Sequence, residues 1–239
     1  MHHEKGRGSE LLAAAWRVAD EVSSAFTGKR GVVGIVYLGG LARGYFDEHS
    51  DIDVVVYKRR GARLGWPREK EYEYRGFTID LEVRDYERDL YKRWSFEERW
   101  VFLHALVRYD PYGLVRKLLE LKVPLSEGER RRLLMEELSK AGWSLSDIDA
   151  WLHRGDPLSA HLAAITSLRH LLRALAVYNG IPPPPDKWLL HTAFSLEERP
   201  PQLNQLVQDV LLASSPTEFE RRKAALRALE SWLHARVRR

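Results

Sequence analysis

Asp51 and Asp53 stand two residues apart in the run Asp51-Ile52-Asp53-Val54-Val55-Val56. On a β-strand that spacing sends both carboxylates off one face, while Ile52, Val54 and Val56 leave from the other. Two like charges side by side on a half-buried sheet are costly unless one is protonated or a cation neutralises both. Carboxylate oxygen is the hard donor that Mg²⁺ prefers, and Mg²⁺ also binds substrate phosphates. Asp80 lies between Ile79 and Leu81 in another alternating run and is the candidate third ligand, with Glu82 next along the same face. Three such carboxylates on neighbouring strands would let two ions, Mg²⁺ or Mn²⁺, share a site. One would lower the pKa of an acceptor hydroxyl; the other would bind a triphosphate and stabilise the pyrophosphate leaving group of an in-line transfer. Asp80, on the hydroxyl side, would be placed to assist deprotonation.

Gly39 and Gly40 precede this pair, with ten residues between Gly40 and Asp51. A strand ending in two residues without side chains can bring backbone N–H groups close to phosphate oxygens, above all where a helix begins. Arg43 follows the turn and is a candidate phosphate contact through its planar guanidinium, although packing on the surface is the commoner role of such a residue. Ser50 is expected to cap or buttress the loop before Asp51, with direct ligand contact as the lesser alternative. Lys187 and Trp188 follow the tetraproline Pro182–Pro185. A rigid extended link there is able to aim Lys187 at a triphosphate and Trp188 at a base, or simply to anchor the helix that follows.

The segment YLGGLARGYFDEHSDIDVVVY, with FTIDLEV behind it, resembles the nucleotidyltransferase superfamily that includes DNA polymerase beta and the antibiotic nucleotidyltransferases. The resemblance covers about residues 31 to 83, and the stretch Tyr109–Gly113 looks like the late strand and turn of some members. It implies that Gly39 and Gly40 hold phosphate, that Asp51 and Asp53 bind both metals and that Asp80 completes the hydroxyl-side ion. Gly40 stands where many members carry serine, which removes one phosphate hydrogen bond. The helical half resembles that of small prokaryotic members of the kanamycin type, without a motif that names an acceptor.

The flanking pattern supplies the elements that would hold these residues. Ser9 to Phe26 has apolar residues at helical spacing, with Ser9 as the expected N-cap. Val32 to Leu38 is a short β-branched run bounded by glycines, as expected of a central strand. Leu41 to Phe46 fits a short helix or extended turn. Residues 58–67 read as a loop, followed by two strands, Glu71–Arg75 and Phe77–Val83, joined tightly at Gly76. Residues 85–109 look mainly helical, with 105–109 equally readable as a last strand. Beyond Gly113 the spacing predicts helices over Leu114–Leu121, Ser126–Leu138, Leu158–Tyr178, Asp186–Phe194, Gln202–Leu212 and Thr217–Val237. Ser126 with Glu129, and Thr217 with Glu220, have capping-box spacing. The expectation is an α+β chain: a nucleotidyltransferase domain with a small mixed sheet over residues 1–113, then an α-helical bundle over 114–239 on the acceptor side.

The chain has 239 residues, 44% of them hydrophobic and 30% charged, with a formal charge of +4 and no cysteine. Thiolate metal sites, disulfides and cysteine nucleophiles are excluded. No run approaches the roughly 18 apolar residues that span a bilayer, and the N-terminus lacks a signal-peptide core, so a cytoplasmic location and no membrane partner are expected. From Glu220 to Arg239, seven Lys or Arg face two Glu. The interleaved Ala225, Leu226, Leu229, Trp232 and Leu233 make this a helix with a solvated basic face before a polyanion footprint. His153, His161, His170 and His191 lack metal-ligand spacing, and Trp16, Trp94, Trp100, Trp143, Trp151 and Trp232 read as core anchors. The partners expected are a nucleoside triphosphate, ATP first, and a small-molecule hydroxyl acceptor. A protein or RNA acceptor is the alternative, followed by an inactive nucleotide or nucleic-acid binding module; monomer and homodimer remain open.

Overall fold

The computed structural model describes residues 2–65, 70–213 and 218–237, the first eight of these as backbone only. It divides into two compact units between Val123 and Pro124. The sequence pattern placed that division at residue 113. Helix α5 (Leu114–Lys122) lies in the first unit, where Val115 and Leu118 are buried against the sheet.

The first unit is built on a five-stranded sheet in the order β3-β4-β2-β1-β5. The strands are β1 (Val32–Tyr37), β2 (Ile52–Lys58), β3 (Glu71–Tyr74), β4 (Phe77–Asp85) and β5 (Leu106–Tyr109). Only β2 and β4 pair in parallel; β1–β2, β1–β5 and β3–β4 are antiparallel. Every residue of β1 is buried, because helices cover the sheet on both faces and the strand has no solvent side for polar residues to take.

One face is covered by α1 (His2–Ser24), whose Ala15, Val18, Ala19 and Val22 pack with Ile35, Tyr37, Ile52, Val54, Val56, Ile79 and Leu81. Burying each of these larger aliphatic side chains stabilises the unit by roughly 1.5–3 kcal/mol. The Tyr37 hydroxyl donates to Asp20 at 2.9 Å and accepts from the Ser23 hydroxyl at 2.8 Å, and Arg108 of β5 grips the same Asp20 carboxylate at 2.7 and 2.8 Å. Ser9 lies inside α1 and is not its N-cap; the preceding Glu4, Lys5 and Arg7 are good helix formers and the helix runs on through them.

The opposite face carries Val33, Val36, Leu38, Val55 and Tyr57, packed against Tyr86 and Trp94, Phe102, Val115 and Leu118. A register shift in β1 between Val32 and Gly34 lets Val33 and Val36 share this face. A Cβ on Gly34 would stand 2.6 Å from a Val115 methyl and 2.7 Å from the Tyr109 carbonyl oxygen, so the missing side chain sets how closely α5 approaches. The short helices α3 (Tyr86–Tyr91) and α4 (Phe96–Val101) start at Asp85 and Ser95, whose side chains accept from Arg88 and Glu98 backbone N–H groups. A 3-10 turn, Phe102–His104, then leads through Ala105 into β5, so Leu106–Tyr109 is the last strand of the sheet. The β3–β4 connection is Arg75-Gly76 with φ of 51° and 79°, the two positive values of a type I′ hairpin turn.

The second unit is helical: α6 (Glu127–His153), α7 (Pro157–Tyr178), α8 (Leu189–Ser195), α9 (Leu203–Leu211) and α10 (Phe219–Val237). The Ser126–Glu129 capping box forms reciprocally at the start of α6. The Thr217 box lies outside the described residues. Ser167 donates to the Ala141 carbonyl at 3.0 Å and His170 meets Glu137 at 2.7 Å, contacts that run α7 antiparallel to α6. Leu171, Leu172, Leu175 and Val177 are buried on different sides of α7, which is enclosed by its neighbours. Trp143 departs from the core role expected of it and is 70% exposed, because it points away from the side of α6 that buries Leu134, Leu138, Ala141 and Ile148.

Candidate active site on the acidic strand pair

Asp53 of β2 is the direct register partner of Asp80 on β4, and Val55 and Tyr57 follow it opposite Glu82 and Arg84. Parallel pairing in this register sets the two carboxylates next to each other on the face opposite α1. Asp51 shares their parity but precedes β2 and is exposed. The acids sit where β2 begins and its antiparallel neighbour β1 ends, and the Leu38 N–H donates to the Asp53 carbonyl at 3.1 Å.

That register carries the chain directly into Gly39, which starts the short helix α2 (Gly39–Arg43) with φ 61°. A Cβ on Gly39 would lie 1.9 Å from Oδ2 of Asp53; the bare backbone is what makes room for the carboxylate. Gly40 answers a different demand, since its Cβ would stand 2.3 Å from the Tyr45 carbonyl oxygen where the chain folds back. The first N–H groups of α2 have no acceptor within the helix, and Leu38 offers no side-chain cap. Ser50 closes the loop ahead of Asp51, donating to Asp47 Oδ1 at 2.8 Å and accepting from the Asp47 N–H at 3.1 Å.

The electrostatics centre on Asp53. Burial, then the neighbouring Asp80 and Asp51 carboxylates, push its pKa up to about 6, while Lys70 and Arg43 oppose the rise. Arg43 stacks its guanidinium 3.9 Å from the centroid of the buried Trp100 ring, and burial lowers its pKa against the pull of Asp53. Lys70 Nζ donates to Oδ2 of Asp80 at 3.4 Å and stands 3.3 Å from Oδ1. The second contact is an ion pair without hydrogen-bond geometry, and among the described residues the buried Oδ1 has no hydrogen-bond partner. Further along β4, Arg84 is bound by Asp89 and Glu98, with Glu82 3.7 Å away.

Two cavities adjoin the acids. One of about 310 Å³ is lined by Asp47, Ser50, Asp51, Gly76 and Thr78, among others. The other, about 340 Å³, begins one step beyond Asp80 and includes Leu38, Glu82, Arg84 and Phe102 in its wall. Among the described residues, no three or more His, Asp or Glu side chains are already gathered as a set able to hold a metal ion. The Asp53–Asp80 pair nevertheless fits a hard cation in its chemistry: one carboxylate is held against its own ionisation and the other keeps an unbonded buried oxygen.

The sequence reading missed Lys70. Nothing in its spacing marks it, since it meets Asp80 only through the sheet register, with its carbonyl accepting from the Leu81 N–H at 2.9 Å. Lys187 lies in the second unit on a 3-10 turn, Asp186–Trp188, with Nζ 5.9 Å from the centroid of the Trp188 ring. Asp186 beside it pairs with Arg173 and Arg169 of α7 at 3.0 and 3.5 Å, which fastens the end of the tetraproline to that helix.

The family model described as "Nucleotidyltransferase domain" matches residues 17–107, from α1 through the acidic strands into β5. Residues 17–107 form a nucleotidyltransferase-like domain. The chain is also similar to a solved nucleotidyltransferase-like protein from Exiguobacterium sibiricum 255-15, with 15% identity and a TM-score of 0.47 over 90% of this chain and 74% of that one. No curated protein matches. The nucleotidyltransferase-like domain contains Gly39, Gly40, Arg43, Ser50, Asp51, Asp53 and Asp80; α5 and the whole second unit fall outside the matched residues.

Proposed function

We propose that the chain transfers a nucleoside monophosphate, AMP from ATP in the first instance, to a hydroxyl group of a small-molecule acceptor. The observation that carries this reading is the side-by-side placement of Asp53 and Asp80 across β2 and β4, with Gly39 bared against the Asp53 carboxylate. Asp51, Asp53 and Asp80 would hold divalent cations, Mg²⁺ or Mn²⁺, which supply charge neutralisation for the triphosphate and acidify the acceptor hydroxyl.

The chain's own groups account for the remaining work. The backbone N–H groups at Gly39 and Gly40 lie at the head of α2, where an anion is favoured. Arg43, held over Trp100 and electrostatically coupled to Asp53, brings positive charge to the same side as the acids. Ser50 keeps the Asp47–Ser50 loop closed, which fixes the entry to Asp51. In the transfer, the acceptor oxygen forms a bond to the α-phosphorus as the bond to the β-bridging oxygen breaks, pyrophosphate leaves and the hydroxyl proton passes to Asp80.

The test is incubation of the full chain with α-³²P-labelled ATP, Mg²⁺ and a panel of hydroxyl-bearing small molecules, followed by separation of products. Label transferred to a small molecule, and reduced at least about 100-fold by Asp53→Asn, is the expected result. Label appearing on protein or RNA would replace the small-molecule acceptor with a macromolecular one. ATP binding without product in any class would point to a binding module.

A further inference from the structure

We propose that Lys70 is the resident counter-ion of Asp80 and competes with the divalent cation for that carboxylate, so that it sets the metal affinity of the acidic strand pair. The inference rests on the metal-binding role given to Asp80 above. Nζ of Lys70 stands 3.3 and 3.4 Å from the two carboxylate oxygens and fills the space in front of both. A Mg²⁺ or Mn²⁺ ion bonded to either oxygen at about 2.1 Å would lie against the ammonium group, and two cations cannot share that approach without strong repulsion.

The residue is built to give way. Its backbone is pinned to β4 through the Leu81 N–H bond, which fixes the root of the side chain next to Asp80. The side chain itself is 64% exposed, so the ammonium can swing into solvent without opening the core. Lysine makes a point-charge contact where arginine would make a two-pronged one, and the Asp80 Oδ1 without a hydrogen bond shows how incompletely the pair is satisfied. Arg43, the second described cation that acts on Asp53, is stacked on a buried tryptophan and lacks that freedom. Lys70 therefore neutralises Asp80 while the metal is away and yields when it arrives.

Mn²⁺ binding to the full chain, read from the electron paramagnetic resonance signal of the free ion at neutral pH and low ionic strength, tests this without reference to catalysis. Lys70→Met is expected to lower the Kd about fivefold, the upper range for an exposed ion pair, and the difference should shrink in high salt. Lys70→Arg, which keeps the charge, should bind no more tightly than wild type. Lys117→Met removes one positive charge from the exposed side of α5 and should change nothing. Equal Mn²⁺ affinity of wild type and Lys70→Met would overturn the proposal, as would an equal gain from Lys117→Met, which would make the effect one of net charge. Absence of Mn²⁺ binding in both wild type and Lys70→Met would instead remove the metal reading of the acids, and the role of Lys70 with it.

Discussion

Asp53 carries an energetic cost that pH exposes. Its ordinary value of 3.8 rises to about 6 in the folded chain, mainly through burial and then through Asp80 and Asp51. Below about pH 4 the carboxyl is protonated in folded and unfolded chains alike and the site costs nothing. Between those values the folded state keeps a proton that the unfolded state has lost, so stability falls as pH rises; above about 6 the full penalty, about 3 kcal/mol, is present. Asp53→Asn is therefore expected to stabilise the first unit at neutral pH and to lose that advantage as pH drops toward 4, measured by denaturant unfolding across that range. A gain independent of pH would contradict the electrostatic origin. The spacing of Asp51, Asp53 and Asp80 was legible in the sequence because strand periodicity converts spacing into a shared face. The pairing of Lys70 was not, since it depends on which strands lie together, and the role of Gly39 was legible only in part: the close approach was foreseen, but not that a carboxylate would be what approaches.

The strands and helices show the same division between local and distant causes. The sequence pattern located four of the five strands and left the fifth, at 105–109, open, and it does not distinguish the parallel β2–β4 pairing that brings Asp53 to Asp80 from an antiparallel one. Helix α6 runs on to His153, far beyond the Leu138 expected, because Gly142 inside it is tolerated once Ala141 and Ile148 are buried on the core side. Its start, by contrast, is a purely local matter. Ser126 accepts from the Glu129 N–H, and the Glu129 carboxylate accepts from the Ser126 N–H at 3.0 Å. Ser126→Ala should destabilise the helical unit by about 1 kcal/mol, the usual loss of an N-cap side chain. Circular dichroism during urea unfolding would measure it; an unchanged midpoint would show that α6 does not depend on its cap.

The molecule as a whole separates a first unit that carries the acidic strand pair from a second, helical unit without a comparable cluster of carboxylates and glycines among the described residues. Carboxylates, glycines and strand register in the first unit support the proposed phosphate and metal site, whereas the helices of the second unit offer no comparable fixed spacing to read. The basic C-terminal segment follows its composition only in part: Arg221 and Arg227 of α10 are exposed as expected, but Arg222 and Lys223 are buried, with Lys223 bound to Asp149 at 2.6 Å and Arg222 against His161. The apolar spacing was the better guide, since Ala225, Leu226, Leu229 and Leu233 are all buried as their period implies. Among the described residues no helix is long and apolar enough to cross a membrane. The central claim concerns the acidic strand pair, and a crystal structure of the full chain with a nonhydrolysable ATP analogue and Mg²⁺ examines it most directly. The expected result is Mg²⁺ bonded to Asp53 and Asp80 at about 2.1 Å, with triphosphate oxygens against the Gly39–Gly40 turn. A nucleotide-saturated crystal with no metal at Asp51, Asp53 or Asp80 would contradict it.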